Sequence, residues 1–314
     1  MRAAGAAKGG QEAGKDGMGM ATEDAAGGQA SGDSRRPGLR VRLSTRAFRA
    51  WSDIWSRSGW LVQSHCSRPL SRLLDPFGSV LLQGSAAECI ALARRVARPA
   101  GCRRAVVLLH GLGHHPGGLA RVAAALADDG WAVANLGYAS LRQPLEAHAR
   151  AASTAAAALA EDGAAEVAFV GHSLGGLIAR AAMSRAEGDG WRAGRLLLLG
   201  SPARGAGIAR AIGALPPYRA ITGACGQAVT PAGAAAVPVP QCRGIAVVAG
   251  GTGGRGYNPL LPGDNDGIVT VAETRLPGQE AGFALVRARH TPLAASRGAV
   301  QAALGFLELG RLAA

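Results

Sequence analysis

The stretch "AFVGHSLGGLIAR" (168–180) decides how this chain is read. It joins an apolar run to a run with helical spacing, and it sets one serine, Ser173, between Gly171 and Gly175. If a strand ends here and a helix begins, the serine must hold a strained backbone conformation. The residues two before and two after it then crowd the neighbouring strand and helix, where only a very small side chain fits. The blander reading is a serine in a glycine-rich turn. The chain holds 47 glycines, and a lone G-x-S-x-G arises readily by chance in such a sequence. The flanking sequence decides between the two.

Six apolar runs are predicted strands: "AVVLL" (105–109), "WAVANLGY" (131–138), "EVAFV" (166–170), "RLLLLG" (195–200), "GIAVVAG" (244–250) and "GFALVRA" (282–288). Longer runs with helical character separate most of them: "LARVAAALADDG", the Ala-rich Leu145 to Glu161, "LGGLIARAAMSRA", and the closing "PLAASRGAVQAALGFLEL". This alternation predicts an α/β domain over 101–314, with a mostly parallel sheet of six or slightly more strands and helices on both faces. The insertion 202–243 is rich in Ala, Gly and Pro and reads as a small cap or lid.

In such sheets, ligands sit at the carboxyl ends of the strands. The first run is followed by "HGLG" (110–113), the third by "GHSLGG" (171–176), the fifth by "GYNPLLPGDNDGIV" (256–269) and the sixth by "ARHTP" (288–292). A serine, an acid and a histidine therefore reach one edge, in the order Ser, Asp, His of a strand–elbow–helix hydrolase. Ser173 is the expected nucleophile and His290 its base. Asp266 is the preferred acid, because Gly267, Ile268 and Val269 anchor it at once. Asp264 is the alternative acid, and Glu273 lies too far into the next element. The backbone amides of Leu112 and Leu174 are the expected oxyanion donors, the second at a helix start where the dipole favours negative charge. His110, Gly111, Gly171, His172 and Gly175 are expected to support the elbow and its facing loop. Arg180 is expected to make a surface or cap contact. The paired His114 and His115 read as a pocket rim, since no metal-ligand set accompanies them.

Together, "LLHGLG", "GHSLGG", "GSPARG", "DNDGIV" and "ARHTP" resemble the α/β-hydrolase superfamily, and within it bacterial lipase- and esterase-like serine hydrolases. "NLGYAS" (135–140) and "TVAETRLPG" (270–278) are also similar to segments of that group. The resemblance spans about residues 104 to 312. It implies the α/β-hydrolase fold and hydrolysis of a carboxylic ester, of a lipid or acylated small molecule, through Ser173, Asp266 and His290. It calls for no cofactor and no metal. Acyl transfer by the same residues, or a non-catalytic membrane-associated adaptor on this scaffold, are the competing functions.

The front of the chain lies outside that pattern. Residues 1–38 are rich in Gly, Ala and polar groups and contain no aromatic, so disorder is expected there. Met18 and Met20 are alternative starts. Residues 39–100 form a basic extension in which Trp51, Ile54, Trp55, Leu61 and Val62 would line one face of a helix. Between Arg35 and Arg72 stand nine Arg and a single acid, Asp53. A basic helix with a Trp-rich face reads either as an interfacial membrane anchor, through 39–75, or as a helix packed on the catalytic domain.

The net charge of +13 favours anionic surfaces, against the plainer reading of a solvated basic surface. No nucleic-acid partner is expected. No run of about 20 apolar residues predicts a membrane span, and the N-terminus lacks the apolar core of a secretory signal. The expected location is cytoplasmic, with the inner face of the membrane as the site of any peripheral contact. The five cysteines are expected as free thiols, with Cys225 and Cys242 able to pair only in an oxidising compartment.

Overall fold

The computed structural model describes residues 50–99 and 101–312. The disorder expected for 1–38, and residues 39–49 of the next segment, lie outside the described residues. From residue 50 the expected helix does not form. The chain instead makes β1 (Trp51–Arg57), β2 (Trp60–His65), β3 (Ser71–Leu74) and β4 (Val80–Gly84), an antiparallel sheet in sequential order, followed by helix α1 (Ala86–Val96).

Two local features explain the difference. Ser58 and Gly59 both take positive φ, 48° and 85°, the two-residue turn whose twist suits a hairpin. That turn splits the aromatic run in two. The β1–β2 register also shifts between Asp53 and Trp55, so that Trp55 falls on the face of Ser52 instead of that of Asp53. A break in the alternation imitates helical spacing. Trp55 is 1% exposed and packs with Val62, Leu73, Cys89, Ala93 and Ala158. The Arg72 guanidinium lies 4.2 Å above the Trp51 ring. These side chains belong to a packed sheet, so among the described residues they do not form the interfacial helix expected of them. No described helix is long and apolar enough to cross a membrane.

The second sheet matches the six predicted strands: β5 (Ala105–Leu109), β6 (Ala132–Leu136), β7 (Val167–His172), β8 (Ala193–Leu199), β9 (Gly244–Gly250) and β10 (Gly282–Val286). All its pairings are parallel, in the order β10-β9-β8-β7-β5-β6. The helices α2 (Ala120–Asp128), α3 (Leu145–Glu161) and α4 (Leu174–Met183) make the first three crossovers. The 202–243 insertion folds as three short helices, α5 (Gly207–Ile212), α6 (Pro216–Ala228) and α7 (Pro231–Ala236). Next come α8 (Val271–Thr274), α9 (His290–Leu293) and α10 (Arg297–Leu309).

Residues of α3 and α4 pack one face of the sheet, against Val107, Phe169 and Leu198. Residues of α2 and α10 pack the other, against Val106, Val170 and Leu197. Cys225 and Cys242 are free thiols that donate to the carbonyls of Gln143 and Gly244.

After β5 the chain goes outward to β6 and then returns to β7 on the other side. The switch in direction therefore falls between β5 and β7, the position at which open parallel sheets bind their ligands. Leu109 and Gly171 are partners in that register, so "HGLG" and Ser173 emerge side by side.

Asp53 carries a testable cost. Its carboxylate is buried, which pushes its pKa up to about 6 against the opposing pull of bonds from Gln63 and Gly137 and the charge of Arg72. Between the ordinary carboxylate range and about 6, the folded state holds a proton that the unfolded chain has released. Stability from this group is therefore lost as pH rises through that window. Asp53→Asn removes the titration. The unfolding free energy of the wild type relative to Asp53→Asn is expected to fall by roughly 2–3 kcal/mol from about pH 4 to about pH 7. Denaturant titrations at both pH values measure it; a flat or rising difference contradicts the assignment.

Candidate active site

Ser173 ends β7 and begins α4 with φ 55° and ψ −123°. Among the described residues, only Ser58 shares a positive φ without being glycine. Such a conformation persists only where the surroundings over-determine it. Here they do. A Cβ on Gly175 would fall well inside contact distance of the Leu109 carbonyl, and one on Gly171 would collide with the backbone of Gly176. Gly176, given no part by the sequence reading, faces the same limit, because its Cβ would lie 2.6 Å from that of Ser201. The Ser173 amide donates to the Leu199 carbonyl at 3.0 Å, which ties the turn to β8.

His290 opens α9, just beyond β10. Its Nε2 lies 2.9 Å from Ser173 Oγ and its Nδ1 lies 2.6 Å from Asp266 Oδ2. Asp266 is 1% exposed, and its Oδ1 accepts the amides of Ile268 (3.0 Å) and Val269 (2.8 Å). The anchoring expected from those two residues is thus made by their backbone. The His290 amide donates to the Asp266 carbonyl at 3.0 Å.

Asp264 faces elsewhere. It accepts from the amides of Thr252, Gly253 and Asn265 and from the Thr252 hydroxyl. Desolvation opposes its charge, but these donors outweigh it and hold the carboxyl below its ordinary range. Of the two candidate acids, the structure brings Asp266 to His290 and makes Asp264 a brace for the loop. Glu273 is also a brace: its carboxylate caps α8 through the Thr270 amide and accepts the Gly207 amide at the start of the cap.

"HGLG" crosses directly over Ser173. A Cβ on Gly111 would stand 3.2 Å from that of Ser173. Leu112 follows in the same loop, and Leu174 supplies the first amide of α4, one of the helix-start donors without a partner inside the helix. His110 is buried and stacks on Tyr138, with ring centroids 3.9 Å apart. Its Nδ1 donates to the Gly111 carbonyl at 2.8 Å, and burial pushes its pKa down to about 3.

His172 is buried too. Burial, and then the neighbouring His290, push it down to about 3, and its Nε2 donates to the His290 carbonyl at 3.0 Å. Both are neutral structural histidines. His115 caps the short turn Pro116–Leu119, and His114 stands beside His172. No group of three metal-ligating side chains occurs among the described residues.

Arg180, expected as a surface or cap contact, is a buried cap contact. Its guanidinium donates to the carbonyls of Ala203, Val237 and Pro238, clamping both ends of the cap to α4. Sequence reasoning missed Tyr138 and Ser140. The Ser140 hydroxyl accepts the Gly113 amide at 2.9 Å, and the Tyr138 hydroxyl donates to the His110 carbonyl. Their signal was "NLGYAS", which runs off the end of β6 at the same sheet edge.

This is the α/β-hydrolase fold. No family model and no curated protein matches the chain. Among solved structures, the mature Bacillus licheniformis lipase BlEst2 is similar at 17% identity, over 63% of this chain and 89% of that one, with a TM-score of 0.48. An esterase from Thermogutta terrifontis is similar at 18% identity, over 66% and 90%, with a TM-score of 0.43. The dienelactone hydrolase of Anabaena variabilis stands at 16%, over 82% and 93%, with a TM-score of 0.41. Likenesses this distant leave the chemistry to the side chains themselves.

The steric condition at the elbow can be tested directly. Gly175→Ala forces a methyl against the Leu109 backbone, and overpacking of this kind costs about 1–3 kcal/mol. Gly188→Ala, whose Cβ would stand 3.6 Å from the nearest atom, is the control. Urea midpoints should fall for the first variant and barely move for the second; equal midpoints contradict the account.

Proposed function

We propose that the chain is a serine hydrolase of carboxylic esters, of the lipase and esterase kind. One observation carries this reading: Ser173 Oγ, on a strained elbow, lies 2.9 Å from His290 Nε2, while His290 Nδ1 lies 2.6 Å from a buried Asp266. A nucleophile, a base and an orienting acid in one hydrogen-bonded line are what acyl transfer through serine requires.

Ser173 Oγ attacks the acyl carbon as His290 Nε2 takes its proton. The oxyanion that forms lies against the amides of Leu112 and Leu174. His290 then gives the proton to the leaving alkoxide, and an acyl-serine remains. Water, deprotonated by the same nitrogen, attacks the acyl carbon; His290 returns that proton to Ser173 Oγ as the acyl–oxygen bond breaks, and the acid leaves. Asp266 holds the ring with Nδ1 protonated and balances the charge His290 carries in between. The substrate is an ester, of a lipid or a small acylated molecule.

p-Nitrophenyl esters of increasing chain length test the reading and grade the acyl preference. Ser173→Ala should reduce turnover to background. Asp266→Asn should lower kcat by about 10⁴, because the amide stabilises the wrong tautomer. Asp264→Asn should cost far less in kcat and act on stability. Turnover retained by Ser173→Ala, or equal kcat losses for the two Asn variants with the fold intact, contradicts the proposal.

A further inference from the structure

We propose that the N-terminal antiparallel sheet is part of the catalytic apparatus: through Ser52 and Asp53 it holds the segment after β6, whose Tyr138 and Ser140 hold the oxyanion loop over Ser173. The proposal rests on the serine-hydrolase reading above and adds positioning residues to it.

The connection runs through continuous hydrogen bonds. Arg72, Gln63 and Asp53 are direct cross-strand partners on β3, β2 and β1. The Arg72 guanidinium donates twice to Gln63 Oε1, at 2.9 and 2.6 Å, and Gln63 Nε2 donates to Asp53 Oδ1 at 2.6 Å. Asp53 Oδ2 then accepts the Gly137 amide at 2.7 Å, and the Asp53 amide donates to the Gly137 carbonyl at 2.8 Å. One residue away, Ser52 Oγ accepts the Ala139 amide at 3.2 Å and donates to Gln143 Oε1 at 3.1 Å.

The held segment grips both ends of "HGLG". At the front end, Tyr138 bonds the His110 carbonyl and stacks on its ring, and the Tyr138 amide donates to His110 Nε2 at 3.4 Å. At the back, Ser140 Oγ takes the Gly113 amide. Between these two holds lie only Gly111 and Leu112. The peptide that donates to the oxyanion is thus fixed from both sides, and both fixings lead back to β1.

A buried carboxylate is a costly means of joining two layers, since apolar contact would join them without desolvating a charge. What the carboxylate adds is direction. It selects one position for the Gly137 amide and so for the residues that follow.

A loop misplaced by a fraction of an ångström loses transition-state stabilisation while leaving the ground state nearly untouched. The full chain is assayed with a p-nitrophenyl ester and with an aryl trifluoromethyl ketone, whose serine adduct carries an oxyanion. Ser140→Ala is expected to lower kcat about 10- to 100-fold with little change in KM, and to weaken the ketone by a similar factor. Ser140→Thr, which keeps the hydroxyl, should recover most of the loss. Asp53→Asn should show a smaller loss of the same form, less than additive with Ser140→Ala because both act on one loop. If Asp53→Asn fails to fold, Ser52→Ala takes its place with the same expectation.

Unchanged kcat and ketone affinity in folded variants overturn the proposal, as does a loss seen equally in KM or a Thr variant no better than Ala. In those cases wild-type turnover still depends on Ser173, so the hydrolase reading survives. Wild-type protein without Ser173-dependent turnover overturns both.

Discussion

Everything at this site depends on a single backbone turn. Ser173 sits at φ 55° because β7 must become α4 within one residue, and α4 must start against the end of β5. Gly171 and Gly175 make the approach sterically possible. The serine hydroxyl thereby stands at the end of β7, at the switch point between β5 and β7. The loop after β5 reaches it from one side, and His290, beyond β10, reaches it from the other. Without the turn, these strand ends would remain adjacent but would have no hydroxyl to converge on.

The electrostatics follow from burial. Four histidines crowd this region, His110, His114, His172 and His290, and the two buried ones that support structure, His110 and His172, are held neutral by desolvation. Each donates a single hydrogen bond to a carbonyl, of Gly111 and of His290. His290 differs because its ring has a carboxylate on one nitrogen and a hydroxyl on the other. The acid turn is stiff for a related reason. Backbone amides fill Asp266 Oδ1, and four donors fill Asp264. The carboxylate facing His290 therefore has little freedom to turn away.

The parallel sheet was legible in the sequence because its strands are buried on both faces, so each reads as a short continuous apolar run. Their order placed Ser173, His290 and "HGLG" at one edge without coordinates. The choice of acid was less legible: Asp264 and Asp266 stand two apart in one turn, and only the direction of each side chain separates them. The first sheet was misread. A register shift broke the alternation of β1 between Asp53 and Trp55, and tryptophans at near-helical spacing concealed a hairpin. Asp53 was noted only as a lone acid among arginines. Its bond to Gly137 joins residues 84 positions apart, and no local pattern announces such a partner.

The central claim is that Ser173 is the activated nucleophile. Covalent labelling with a fluorophosphonate, followed by mass mapping of the peptides, tests it most directly. The account predicts one adduct, on Ser173, whose formation slows sharply when His290 is replaced by alanine. An unlabelled wild-type protein, an adduct on another residue, or labelling indifferent to His290 would contradict it.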